Sequence, residues 1–264
     1  MIGLQLSFKR LRGNYLPANY QYLVSSWIYE VIGRADEGHS AFLHEKGFRA
    51  EGRAFKLFTF SQLDVRPYQM EGNAIRLLGN EMKLTVRFLV DASLQNFIQG
   101  LFMQQHVGLG QQGMPPTDFE VTSVEAQSQT VFKPLVRYQC LSPICVSQLR
   151  GDGTTAYLSP EDKNFGERLI QNLLRKEKAL QLAHEEPRTT MPYKFTLLNS
   201  PRKKGIHIKE NTESHTQLIG YLFHFELLAP TELHEIGYYG GFGEKNSMGF
   251  GCVATGWQSI KQNL

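Results

Sequence analysis

The sequence predicts an α+β protein made of two consecutive units of the order β-α-β-β-α-β. Its 264 residues exceed the usual size of one small domain and suit two of about 130 residues. Segments that alternate apolar and polar residues, as half-buried strands do, are interleaved with segments whose apolar residues recur at helical spacing. Read in order, they give strand, helix, strand, strand, helix, strand, and then the same series again. That order is the ferredoxin-like plan.

The first strand is "MIGLQLSFKRL", where Ile2, Leu4, Leu6 and Phe8 alternate with small or polar residues. An amphipathic helix follows in "LPANYQYLVSSWIYEVIG", with Leu23, Val24, Trp27, Ile28 and Val31 on one stripe and Gly33 as its stop. A short second helix is predicted from Asp36 to Glu45, punctuated by Gly47, and then "AFKLFTFSQL" as a strand. "NAIRLLG" and "EMKLTVRFLV" flank Gly79-Asn80, a hairpin signal. Helical spacing returns through Leu94, Phe97, Ile98 and Leu101, and "FEVTSVEAQ" alternates again.

A boundary is placed near Phe132-Lys133-Pro134, dividing the chain into 1–132 and 133–264. Beyond it "VRYQCLSPICVSQL" is strand-like. Ser159-Pro160-Glu161-Asp162 reads as an N-cap with an early proline and early acids, opening a helix through Phe165, Leu169, Leu173 and Leu180. "YKFTLLNS" and "QLIGYLFHFELLA" are strands bridged by the basic "PRKKGIHIK"; "PTELHEIGYYG" is a short helix and "GFGCVATGW" the last strand. The repetition lies in the order of elements, not in the letters.

Composition narrows the function classes. Hydrophobic residues are 41% and charged residues 20% of the chain, which excludes a disordered or fibrous protein. The net charge is only +3, so affinity for a polyanion must come from where the charges sit. Cys140, Cys145 and Cys252 lack zinc-site spacing, and free thiols without disulfide, structural metal or cofactor are expected. The N-terminus lacks a signal-peptide core, and no run reaches the roughly 18 apolar residues of a membrane span. A cytoplasmic protein without membrane contact is expected.

The stretch "YYGGFGEKNSMGFGCV" alternates glycine with Phe242 and Phe250 around a polar run. Gly241, Gly243, Gly249 and Gly251 permit positive φ and close backbone approach, with Lys245 and Asn246 adding polar contacts. A dinucleotide fingerprint fails because position 246 is Asn and the loop enters a strand; a nucleotide-triphosphate loop fails because no Gly-Lys-Ser/Thr is present. Spacing alone leaves RNA phosphate binding and a packing loop equally open.

"GGFGEKNSMGFG" closely resembles the C-terminal glycine-rich motif of the CRISPR RNA-processing endoribonucleases, the sixth numbered Cas family. "LPANYQYLVSSWIYEVI", "FLHEKGF" and "FKLFTFSQL" look like that family's opening segments in the same order. The likeness covers residues 15–63 and 201–253, and the middle only by topology. It implies metal-free cleavage of the repeat in precursor CRISPR RNA, by attack of a ribose 2′-hydroxyl on the adjacent phosphodiester. It leaves CRISPR effector subunits and a second copy of the chain as candidate partners besides the repeat RNA.

Such chemistry needs a group at the 2′-hydroxyl, an acid for the departing 5′-oxygen and positive charge for the transition state. Similarity to the family motifs puts these on Tyr29, His44 and Lys56. Tyr29 lies roughly 160° around the first helix from its apolar stripe; with an ordinary pKa of about 10 it suits orienting the hydroxyl rather than ionising. His44, in the last turn of the predicted second helix, suits the general acid; a surface cap is the plainer reading. Lys56 reads equally as a solvated strand-end charge, and Lys46 is its nearest rival. Arg202, Lys203, Lys204 and Lys209 look like the family's basic hairpin and would grip RNA phosphate, with Lys9, Arg10 and Arg12 as a candidate extension. Two other functions compete: a non-catalytic repeat-binding subunit on the same fold, and an ordinary single-stranded RNA module with exposed aromatics on its sheet.

Overall fold

The computed structural model describes residues 1–111, 113–180, 193–208 and 216–256. The first unit runs β1 (Ile2–Arg12), α1 (Gln21–Ala35), β2 (Phe58–Phe60), β3 (Glu81–Phe88), α2 (Asp91–Met103), β4 (His106–Gln111) and β5 (Met114–Ala126). Its sheet has the order β2-β3-β1-β5-β4, with antiparallel neighbours throughout. The alternation in β1 sets the register, because Leu4, Leu6 and Phe8 face Val86, Leu84 and Met82 across the strands and all six are buried. Against them α1 lays Val24, Trp27, Ile28 and Val31. The Trp27 ring stands edge-on to Phe8 at 5.7 Å and to Phe97 of α2 at 5.8 Å. The two helices touch backbone to backbone at Gly100, where an added Cβ would collide with the Val31 carbonyl.

The second unit runs β6 (Leu135–Cys140), α3 (Phe165–Ala179), β7 (Lys194–Leu197), β8 (His224–Leu228), α4 (Thr231–Gly240) and β9 (Val253–Thr255). Its sheet order is β7-β8-β6-β9, again antiparallel. In each sheet the unit's first strand lies between its third and its last, so both units have the predicted ferredoxin-like topology. Phe165, Leu169 and Leu173 of α3 pack with Phe225, Leu227, Leu233 and Phe242 into a second core. The units are joined directly: the Gln62 N–H donates to the Leu141 carbonyl at 2.9 Å, and the buried Arg87 donates to the Val253 carbonyl while lying 3.7 Å over the Tyr238 ring.

Several elements differ from the sequence prediction. Ala74–Leu77 does not form a hairpin with β3 across Gly79-Asn80; it pairs with Tyr68–Glu71 across Gly72-Asn73 and with Tyr15–Pro17. The strand "YQME" is exposed and only four residues long, too short for the alternation of Tyr68 and Met70 with polar residues to mark it. The helix predicted from Ser159 begins at Phe165, because the Asp162 carboxylate accepts from the Ser159 N–H at 2.6 Å and closes a turn instead. The long segment "QLIGYLFHFELLA" divides into Thr216–Leu222 and β8 around Phe223. Among the described residues no helix is long and apolar enough to cross a membrane.

Candidate functional site

Two local departures from regular structure build the site. The second helix is regular only over Glu37–Ala41, and Phe42–Lys46 then winds as a π turn closed by Gly47. The wider turn buries Leu43 and turns His44 out to solvent; such turns recur where a side chain must be re-aimed. The predicted strand "AFKLFTFSQL" is likewise broken. Arg53–Phe55 pairs with Phe48–Ala50, Leu57 takes a left-handed φ of 56°, and only then does β2 join the sheet. Lys56 occupies that break, not a strand end.

The breaks bring the three predicted residues together. The Tyr29 ring, half-buried on α1, stands edge-on to the His44 imidazole at 5.3 Å and to Phe58 at 5.4 Å. The Lys56 ammonium donates to the His44 carbonyl at 2.8 Å. Gly47 permits this approach, since a Cβ there would lie 2.6 Å from the Phe55 carbonyl oxygen and 3.1 Å from Lys56 Cδ. Burial raises the Tyr29 pKa, and a hydrogen bond with the Ser247 side chain opposes it. Partial burial, then the Arg49 charge, lowers that of Lys56. Lys46 is exposed on the π turn. Beside Lys56 opens a cleft of about 390 Å³, bordered by Arg53, Lys245, Ser247 and Met248. The hairpin that leads into Lys56 is braced from the second unit: Glu51 at its turn accepts from Arg175 and Lys178 at 2.8 and 2.6 Å, and Arg53 pairs with Glu244 at 2.9 Å.

The glycine loop is closed upon itself. Gly241, Gly243, Gly249 and Gly251 are buried with positive φ, and a Cβ on Gly241 would lie 2.5 Å from Asn246 Nδ2. The Gly249 and Gly251 amides donate to the Asn246 and Pro143 carbonyls, and so are not free to take a phosphate. Asn246 is only 8% exposed; its amide donates to the Phe242 and Phe250 carbonyls at 3.0 and 3.1 Å. The Lys176 ammonium, 1% exposed on α3, closes the ring by donating to the Gly241 and Gly243 carbonyls and to Asn246 Oδ1 at 2.5, 2.9 and 2.7 Å. Burial pushes its pKa down to about 7, with the Glu244 carboxylate opposing. Of the loop's predicted contacts, Lys245 alone is exposed.

Arg202 and Lys203 are exposed and Lys204 half-exposed on a hairpin in which Arg202–Ile208 pairs with Thr216–Leu222; Lys209 lies outside the described residues. Ile206 and Leu218 seat this hairpin on Phe250 and Met248 of the glycine loop. Arg202 also borders a groove of about 720 Å³ with Gln62, Arg66 and Lys83. Arg10 and Arg12 are held elsewhere, by Asn80 at 2.7 Å and by Asp118 at 2.7 Å. Among the described residues no three His, Cys, Asp or Glu side chains converge as a metal site would need.

Sequence reasoning missed Ser247, Arg49, Arg53 and Lys176. The last had a signal, since Lys176 follows Leu169 and Leu173 on the apolar stripe of α3 and a cation there must be buried.

Known proteins resemble this chain over most of its length. The family model described as CRISPR-associated protein Cas6, N-terminal, matches residues 15–123, and that described as CRISPR associated protein Cas6, C-terminal, matches residues 125–255. The chain belongs to the Cas6 family. A Methanocaldococcus jannaschii relative named CRISPR-associated endoribonuclease Cas6 1 is 28% identical, over 91% of this chain and 87% of its own length. A Pyrococcus furiosus relative named putative CRISPR-associated endoribonuclease-like protein Cas6 is 24% identical, over 90% and 91%. The solved structure of a Cas6-related gene product from Pyrococcus furiosus superposes with a TM-score of 0.80 at 22% identity, over 97% of this chain and 99% of that one.

Proposed function

We propose that this Cas6 family member is an endoribonuclease that cuts the repeat of precursor CRISPR RNA without a metal ion. The observation that carries the reading is the meeting of Tyr29, His44 and Lys56 beside a cleft that Arg53 and Lys245 border. In the reaction the ribose 2′-oxygen attacks the adjacent phosphorus and the bond from phosphorus to the 5′-oxygen breaks. A 2′,3′-cyclic phosphate and a 5′-hydroxyl result. Tyr29, kept neutral by the burial that raises its pKa, hydrogen-bonds the 2′-hydroxyl, whose proton passes to solvent. His44 protonates the departing 5′-oxygen. Lys56 stabilises charge on the phosphoryl oxygens and is favoured over Lys46 because it is already tied to the His44 backbone.

In this reading residues 1–132 supply the catalytic groups, while residues 133–264 supply the glycine loop and the basic hairpin that holds the RNA backbone. The protein would act in the cytoplasm, with effector subunits or a second copy of the chain as candidate partners.

Incubation with repeat RNA in excess EDTA tests the reading. Cleavage is expected to persist and to leave cyclic phosphate ends. Loss of cleavage in EDTA would overturn the metal-free reaction, and tight binding without any cutting would make the chain a repeat-binding subunit instead.

A further inference from the structure

We infer that Lys176 is a positioning residue for cleavage, acting on Tyr29 through Asn246 and Ser247; this rests on the assignment of Tyr29 to the reaction. A lysine buried without a carboxylate in direct contact is costly for a fold to keep, and this one spends its protons on three acceptors of a single loop. Two of them, the Gly241 and Gly243 carbonyls, lie before the 3₁₀ turn Asn246–Met248, and the third is the turn's first side chain. Asn246 is held from both ends, because its oxygen accepts from Lys176 while its amide ties the Phe242 and Phe250 carbonyls across the loop. Left-handed residues flank the turn, Lys245 at φ 60° and Gly249 at φ 88°, so it has little freedom to slide along the chain.

Ser247, the next residue, therefore leaves the loop in a set direction: its turn packs against α1 and β2 of the first unit, where the Ser247 side chain is the polar neighbour that acts on Tyr29. Sequence distance hides the connection: α3 packs on the second sheet and α1 on the first, and the glycine loop touches both. Thr59 pins the same loop from the first unit by donating to the Phe250 carbonyl at 2.9 Å. With its ends pinned, Lys176 governs the middle, which holds Ser247. Without the ammonium, Asn246 loses its fixed oxygen and the turn can rotate Ser247 away from Tyr29.

The test is a double-mutant cycle read by single-turnover cleavage at saturating protein, with RNA affinity measured in parallel. Wild type, Tyr29→Phe, Lys176→Met and the double variant are compared. Lys176→Met is expected to slow cleavage by about tenfold or more, the scale of one lost hydrogen bond at the reacting group, with the Kd for RNA changed by less than about twofold. In the Tyr29→Phe background it should slow cleavage no further, and Ser247→Ala should reproduce it. Equal slowing in both backgrounds, or a Kd that rises in step with the lost rate, would overturn the inference. A Tyr29→Phe protein that cuts at the wild-type rate would instead overturn the assignment of Tyr29, and the inference with it. Should Lys176→Met not fold, Asn246→Ala replaces it in the cycle, since it leaves Lys176 its two carbonyl partners; a wild-type rate for Asn246→Ala would overturn the inference equally.

Discussion

Replacing Gly251 with alanine separates the packing demand on the glycine loop from the ordinary strain of a left-handed residue. Gly251 and Gly256 share a φ of 82°, but a Cβ on Gly256 would meet nothing within 4 Å, whereas one on Gly251 would lie 2.8 Å from the Phe242 nitrogen and closer still to the Phe242 carbonyl and Asn246 Nδ2. Gly256→Ala should therefore cost only the left-handed strain of about 1–2 kcal/mol, offset by ~0.4–1 kcal/mol from the stiffer unfolded chain. Gly251→Ala carries that same cost and also displaces Asn246. Two neutral hydrogen bonds of about 1 kcal/mol each and one from an ammonium of roughly 1.5–3 kcal/mol are then disturbed, so the difference between the variants should be about 3–5 kcal/mol. At about 2–4 °C of Tm per kcal/mol for a protein of this size, that is a gap on the order of 10 °C. Denaturant and thermal melts of both variants measure it. If the two melt within about 2 °C of each other, the loop yields cheaply and the account of Asn246 and Lys176 as a rigid frame is wrong.

Two further outcomes follow from the site. His44→Ala should slow single-turnover cleavage by about 10²–10⁴-fold, the usual worth of a positioned acid, while RNA affinity stays nearly unchanged because His44 is one exposed side chain among several cations; collapse of affinity would make it a binding residue. Neutralising Arg202, Lys203 and Lys204 together, each to glutamine, should lower the slope of log affinity against log salt by up to about 2, at ~0.7 per phosphate contact of a single strand. An unchanged slope would remove the hairpin from the RNA path.

Much of this fold was legible because its strands alternate cleanly. Leu4, Leu6 and Phe8 point to one face, and a slip of one residue would expose all of them. The stripe of Val24, Trp27, Ile28 and Val31 fixed α1 equally well, although the helix runs two residues past Gly33 to Ala35. Tyr29, off that stripe, is half-buried by His44 and Phe58 rather than left free, which needs the tertiary fold to see. The π turn around His44 and the left-handed Leu57 beside Lys56 were not legible, because neither "FLHEKG" nor "FKLF" contains a residue that demands such geometry. Both are imposed by packing, and both aim the groups proposed as catalytic. The glycine loop was legible as a loop of special conformation, but its partner was not. Lys176 is 65 residues from Gly241 in sequence, and only the packing of α3 against the loop turns phosphate-like spacing into a cage for an ammonium.

The most direct test of the central claim is cleavage of repeat RNA carrying a single 2′-deoxyribose at the cut position. In the proposed reaction the three side chains serve a nucleophile that is that ribose's own hydroxyl. Cleavage there should stop, while the deoxy substrate binds with nearly unchanged affinity and competes with normal RNA. Cutting at the modified position at an undiminished rate would mean that the nucleophile comes from elsewhere, and the roles given to Tyr29, His44 and Lys56 would fall together.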